Sequence, residues 1–282
     1  MRIDLHTHST RSDGTDAPAG LVAHALAAGL DVVGLTDHDV MTGWDEAFEA
    51  SRRLGVAVVP GVEISCERDG RSVHLLGYLL DPANPALLAE LDRARSSRAT
   101  RLQRMVDLLA ADGIPISQEQ VAAQVPAGAT PGRPHVADAL VASGVVADRD
   151  EAFRRWLADD SPYYVRYYAP DPARAVALVR AAGGVPVLAH PLAARRGVAP
   201  TLALVEELAA VGLAGVEADH PDHDERARRA VREAARHTGV FVTGSSDYHG
   251  TGKPVRIGAE LTHPDVLAAI ESLGAGSAVV RP

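Results

Sequence analysis

Short apolar runs alternate with helix-spaced apolar positions over the first eighty residues. Residues 2–6 read as a strand. Residues 18–28 read as a helix, with Leu21, Val22, Ala25 and Leu26 on one face. A strand over 31–36, a helix over 42–54 and strands over 57–63 and 73–78 continue the rhythm. Such βαβα alternation predicts a parallel sheet or barrel with helices outside.

The pattern changes at Pro82 and Pro85. From 86 to 153 the apolar positions, among them Leu87, Leu88, Leu91, Met105, Leu108 and Leu109, hold helical spacing with no clear strand. Two more helices are expected over 136–143 and 150–157. Residues 83–165 thus read as a helical insertion, which divides the other unit into 1–82 and 166–282. The alternation then resumes: helix to 182, strand 185–190, helix 201–211, strand 215–218, helix 224–238, strand 240–244. No repeat and no low-complexity segment interrupts it.

Composition narrows the function classes. A formal net charge of −9 argues against a long duplex nucleic acid as partner, while leaving room for a local basic pocket. Lys253 is the only lysine among 28 basic residues. Cys66 is the single cysteine, which excludes an intrachain disulfide framework and a thiolate zinc site; it reads as a buried small hydrophobe. No apolar run is long enough to span a bilayer, and Asp4, His6 and His8 arrive too early for a signal peptide. A cytoplasmic protein without a membrane partner is the expectation.

Chemistry-bearing residues recur at strand ends. His6 and His8 lie on one face at the end of the first strand, and Asp13 follows in the loop. Later strands end at His38, Glu63, His190 and the pair Asp247/His249, while His74 sits within its strand. Taken singly, each reads as a surface or satisfied core residue. Their repetition at the same end of successive elements favours a site, because α/β sheets and barrels build sites at carboxyl strand ends. Mixed imidazole and carboxylate donors suit zinc, manganese or iron and leave positions open for water and substrate.

The runs Asp4-Leu5-His6-Thr7-His8-Ser9 and Ser12-Asp13-Gly14 resemble the opening motif of the PHP (polymerase and histidinol phosphatase) phosphoesterases. Thr36-Asp37-His38-Asp39, Gly61-Val62-Glu63, His74, Ala189-His190-Pro191 and Ser246-Asp247-Tyr248-His249 resemble its later motifs, in order along the chain. The resemblance implies a distorted (β/α)7 TIM-like barrel, with the helical insertion capping the substrate pocket. It also implies two or three divalent ions per chain, with Mn2+ preferred over Fe2+ or Zn2+. His6, His8, Glu63 and Asp247 would hold the first ion. Glu63 would bridge to a second, completed by His74 and His190. Asp13, His38 and His249 would hold a third. Asp37 and Asp39 are expected behind the ligands, since metal-bound imidazoles usually donate to a carboxylate.

The insertion resembles the branch of that family that acts on nucleoside 3′,5′-bisphosphates and trims short RNA from its 5′ end. Arg95, Arg98 and Arg101, then Gly132-Arg133-Pro134-His135, carry this likeness. It implies Arg98, Arg133 and His135 as ligands of a second, non-reacting phosphate, with Arg101 as readily a solvated neighbour. Adjacent ions would activate a shared water for in-line attack on phosphorus, with Asp13, His38, Glu63, Asp247 and His249 at the catalytic centre. The expected substrate is a small phosphorylated nucleotide or short oligonucleotide. Histidinol phosphate, a sugar phosphate or a cyclic phosphate would suit the same chemistry, and a metal-binding sensor without turnover is the non-enzymatic reading. Tyr163, Tyr164, Tyr167 and Tyr168 read as packing the insertion against the barrel, with base stacking as their other use. His220 and His223 read as loop histidines, His220 being placed to line the pocket.

Overall fold

The computed structural model describes residues 1–158, 160–193 and 203–282. Its centre is one seven-stranded sheet with the strands side by side in chain order. They are β1 (Ile3–Thr7), β2 (Val32–Leu35), β3 (Ala57–Arg68), β4 (Arg71–Tyr78), β5 (Val185–Leu188), β6 (Gly215–Asp219) and β7 (Phe241–Gly244). The two ends of the sheet meet just past β7. Thr7 pairs in parallel with Tyr248, and His8 N–H donates to Tyr248 O at 2.8 Å. The sheet is thereby curled almost into a closed barrel.

The helices are α1 (Pro18–Ala27), α2 (Trp44–Leu54), α3 (Pro85–Ala111), α4 (Gln118–Ala122), α5 (Arg133–Ala142), α6 (Arg149–Ala152), α7 (Pro172–Ala181), α8 (Ala203–Ala210), α9 (Glu225–Thr238) and α10 (Pro264–Leu273). Local chemistry fixes many of their ends. Proline opens α1, α3, α7 and α10, where its preset φ suits the first turn. Asn84 and Asp171 cap α3 and α7 by accepting from Leu87 N and Ala173 N. A π-helical turn, Phe153–Leu157, extends α6. The expected helix over 201–211 is seen from Ala203 onward; its first two positions lie outside the described residues. Helix α10 was not expected from the apolar pattern.

The expected parallel order fails at β4, which is antiparallel to both β3 and β5, whereas the other adjacent pairs are parallel. The reason is local. Strand β3 does not stop at Glu63 but runs to Arg68 and turns through Asp69-Gly70, with φ of 53° and 75°. This Asp-Gly pair makes a two-residue hairpin, because both positions tolerate positive φ. The reversal matters for the site: the first residues of β4 lie at the end where the parallel strands finish.

Alternation along the strands sorts the core. Val58, Val62 and Ile64 of β3 and Val73 and Leu75 of β4 pack outward with the helices, alongside Leu21, Trp44 and Val176. Ala57 and Val59, with Leu76, Tyr78, Val185 and Val187, form the interior cluster, joined by Leu267 and Ile270 of α10. With a side-chain period of two, Glu63 and His74 fall on that same interior face, nearer the other end. One end of the interior is apolar and the other is chemical.

The helices from α3 to α6 gather a third cluster around Leu102, Met105, Leu109, Val136, Leu140 and Leu157. Helix α3 joins this cluster to the barrel. Its buried stripe runs Leu87, Leu91, Ala94, Arg98, Arg101, Met105, Leu109, so two arginines occupy core-facing positions between the two apolar clusters.

Candidate metal centre

Nine side chains at the chemical end of the barrel converge. His6 lies near the end of β1 and His8 just follows it; Asp13 lies in the next loop, and His38 follows β2. Glu63 comes from within β3 and His74 from β4; His190, Asp247 and His249 follow β5 and β7. All are nine-tenths or more buried. Glu63 is at the centre. Its Oε1 lies 2.5 Å from His74 Nδ1 and 3.0 Å from His190 Nε2. Its Oε2 lies 3.3, 3.1 and 3.1 Å from His6 Nε2, His8 Nε2 and His38 Nδ1. Asp247 Oδ1 sits 3.2 Å from His8 Nε2 and 3.5 Å from His6 Nε2. Asp13 Oδ1 is 3.3 Å from His249 Nε2, and its Oδ2 is 3.9 Å from His38 Nε2.

Donor atoms of His6, His8, Glu63 and Asp247 lie close enough together to share one ion. The same holds for His8, Asp13, His38 and His249, and for His38, Glu63 and His74. His190 reaches Glu63 but also groups with His220 and Asp247, and with His6 and Glu217. The donor set fits cations on a second observation. Glu63 Oε2, Asp13 Oδ1 and His38 Nδ1 are buried without a hydrogen-bond partner among the described residues, although each has close polar neighbours. The His6 and His8 Nε2 atoms are only 3.1 Å apart. Lone pairs that converge without donors between them are arranged for a positive ion.

The electrostatics show a tightly interacting cluster. Although burial opposes it, the facing carboxylates raise His6 well above its ordinary value and His8 to about 9, so an ion bound there would displace protons. Burial would raise the Glu63 carboxyl pKa, but His74, His38 and His6 hold it well below the usual range. For Asp247, burial is likewise outweighed by Lys253, His249 and His6. Burial and the nearby Lys253 and His8 push His249 down to about 4, leaving a neutral imidazole suited to ligation.

The neighbouring polar residues divide by role. Asp37 accepts from Ser9 N, Ser9 Oγ and Ser12 Oγ at 2.8, 2.6 and 2.7 Å, and so fixes the loop that carries Asp13 instead of bonding an imidazole. Asp39 accepts from Ser65 N at 2.8 Å and pairs with Arg98 Nε at 3.0 Å. Arg98 Nη2 also donates to Ser65 Oγ. Arg98 is therefore tied into the barrel wall. Arg98→Ala strands the buried Asp39 carboxylate, and urea unfolding should register a loss of about 3–5 kcal/mol.

Next to the cluster opens a cavity of about 580 Å³, lined by Arg98, Arg101, Arg133, Phe153, Tyr164 and Tyr167 among others. Arg101 is 4% exposed, and its Nε and Nη2 find no hydrogen-bond partner among the described residues. Burial and the neighbouring Arg133 lower its pKa to about 10. Its guanidinium lies 4.7 Å from the ring centres of both Tyr164 and Tyr167. Arg133 donates to Leu157 O at 2.7 Å and also faces Tyr164. His135 is buried, and its Nδ1 accepts from Gly132 N in the first turn of α5. Arg95 donates to Gly128 O at 3.2 Å. The four tyrosines split: Tyr163 and Tyr168 bond Asp112 and Glu90, whereas Tyr164 and Tyr167 line the cavity.

Sequence reasoning missed two residues here. Glu217, set between Val216 and Ala218 in β6, is fully buried beside His6. Lys253 lies 2.6 Å from Asp247 Oδ2. His220 lines the pocket as expected and is buried, not solvated, with Nε2 3.3 Å from the same oxygen. His223 is buried as well and saturated: Nε2 accepts from Leu192 N and Nδ1 donates to Ala218 O. The signal for Glu217 was present as one charged residue between the apolar Val216 and Ala218. Cys66 is buried, as expected.

Comparison with known proteins leads the same way. Residues 4–114 match the family model described as PHP domain. A 3′,5′-nucleoside bisphosphate phosphatase of Chromobacterium violaceum is 33% identical over 95% of this chain and 93% of its own length. A 5′-3′ exoribonuclease of Haemophilus influenzae is 32% identical over 88% of this chain and 90% of its own. A crystal structure from Bifidobacterium adolescentis, titled as a metal-dependent phosphoesterase, superimposes with a TM-score of 0.94 at 38% identity, covering 97% of this chain and 96% of that one.

Proposed function

Because the chain belongs to the PHP family and is a metal-dependent phosphoesterase, we propose that it removes the 3′-phosphate of nucleoside 3′,5′-bisphosphates. On this reading it also trims short oligonucleotides from the 5′ end, as the names of its relatives suggest for them. The observation that carries the proposal is Arg101, a buried guanidinium with two nitrogens unpartnered among the described residues, in a cavity that opens beside the candidate metal cluster. A buried cation without a carboxylate partner is costly unless an anion arrives.

Three ion positions are proposed: His6, His8, Glu63 and Asp247; Glu63, His74 and His190; and Asp13, His38 and His249. Manganese is the ion the family resemblance implies, with iron or zinc as the alternatives; the mixed imidazole and carboxylate donors suit all three. Divalent ions there supply Lewis acidity and a water acidic enough to attack phosphorus at neutral pH. The chain's own residues do the rest. Arg101 and Arg133 grip the non-reacting phosphate through their guanidinium forks, with Arg98 supporting the same wall. Tyr164 and Tyr167 offer aromatic faces that accept any base. Residues 83–165 form the cap of the substrate pocket on a barrel made of 1–82 and 166–282. No helix among the described residues is long and apolar enough to cross a membrane.

The test is phosphate release, with Mn2+ present, from adenosine 3′,5′-bisphosphate, 3′-AMP, 5′-AMP and histidinol phosphate. The bisphosphate should lead in kcat/KM by about 100-fold, because a site built for a second anion leaves its cations unpaired when that anion is missing. Equal turnover of a monophosphate would overturn the bisphosphate assignment.

A further inference from the structure

Strand β6 places Val216 and Ala218 in the outer core, so Glu217 faces the barrel interior, fully buried. Three groups converge on its carboxylate from three different strands. His6 Nδ1, from β1, lies 3.2 Å from Oε1. Ser245 Oγ, just past β7, donates to the same oxygen. His190 N–H, two residues past β5, donates to Oε2 at 3.0 Å.

We infer that Glu217 is a positioning residue of the metal centre, fixing the His6 ring and the His190 backbone at once. The inference rests on the metal-binding reading above. When Nδ1 donates to Glu217, the lone pair of His6 is left on Nε2, the nitrogen that faces Glu63, Asp247 and His8. The backbone of His190 is held at φ 25°, a conformation uncommon for non-glycine residues and favoured where the surroundings constrain it. The bond from its N–H to Glu217 supplies part of that constraint. One carboxylate thereby orients ligands proposed for two different ions.

Glu217 is not itself assigned as a ligand, although it lies near His6 and His190. Both its oxygens already accept from protein donors, whereas Glu63 Oε2 and Asp13 Oδ1 accept from none among the described residues. Ions compete better for the second kind of oxygen.

The test uses apo protein of wild type, Glu217→Gln, Glu217→Asp and Ser245→Ala. Mn2+ affinity is read by competition calorimetry, and the Co2+-substituted forms are compared by visible absorption. Glu217→Gln keeps the shape but turns an NH2 toward a donor. It should weaken metal binding by about 10- to 100-fold and alter the cobalt spectrum. Glu217→Asp, one methylene short, should weaken it less but measurably; this variant carries the test if the glutamine form fails to fold. Ser245→Ala leaves the His6 contact intact and should bind within about threefold of wild type. Wild-type affinity and spectrum in both Glu217 variants, with only the thermal midpoint lowered, would overturn the inference and leave a structural role. Absence of ion binding by the wild type would instead overturn the metal reading beneath it.

Discussion

Glu63→Gln should reduce phosphoester hydrolysis about 1,000-fold or more while leaving the barrel folded. The substitution is nearly isosteric, and Glu63 lies within β3, backbone-paired to β4 on one side. What changes is the chemistry at a point where His6, His8, His38, His74 and His190 all come within 3.3 Å of one carboxylate. An amide has one acceptor oxygen for both groups of imidazoles, carries no charge, and turns its NH2 toward at least one of them. The expected readout is a lower metal content by elemental analysis together with the loss of turnover. Far-ultraviolet dichroism should be unchanged. A Glu63→Gln protein that retained full metal content and more than about a tenth of wild-type kcat would remove Glu63 from the centre of the mechanism.

The second large effect is selective. Arg101→Ala should lower kcat/KM for a nucleoside 3′,5′-bisphosphate by about 100-fold or more, and leave turnover of 3′-AMP within about threefold. It should not destabilise the free protein. The guanidinium is buried with two nitrogens unpartnered among the described residues, and its pKa is depressed to about 10 by burial and Arg133. Removing a charge held against its solvation relieves a penalty, which offsets the lost packing of the side chain. The contrast with Arg98, whose partner Asp39 is buried, makes the pair informative. An equal loss on both substrates would place Arg101 in general structure, not in recognition of a second phosphate.

The converging histidines and acids were legible in the chain because such side chains are conspicuous among apolar strands, and because they recur where strands end. The β3–β4 reversal was written just as locally, in Asp69-Gly70, but the apolar rhythm drew attention past it. The arginine assignments show where pattern reading runs out. Arg98 and Arg101 sit on one face of α3 and look alike in sequence, yet Arg98 pairs with Asp39 from the loop after β2, whereas Arg101 has no carboxylate partner among the described residues. That difference arises only when the β2 loop and α3 meet. Burial of His220 and His223 was hidden for the same kind of reason. Their loop is rich in acidic residues, so it reads as solvated, but its histidines turn inward to Asp247 and to Ala218 O. Glu217 needed the strand order itself, since its three donors come from β1, β5 and β7 ends far apart in the chain.

Helix α3 runs unbroken from Pro85 to Ala111, 27 residues, a rod of about 40 Å. Its first turns are set in the barrel's outer core through Leu87 and Leu91, and its later turns in the helical cluster through Met105 and Leu109. Arg101 stands between these two anchorages, with no hinge between it and the barrel. One continuous helix therefore sets the gap between the Arg101 guanidinium and the cluster of histidines and acids. On the proposed function that gap would act as a gauge: a ligand would be accepted when the spacing of its two anionic ends matches it, and a mismatch of length would be rejected by the helix acting as a strut.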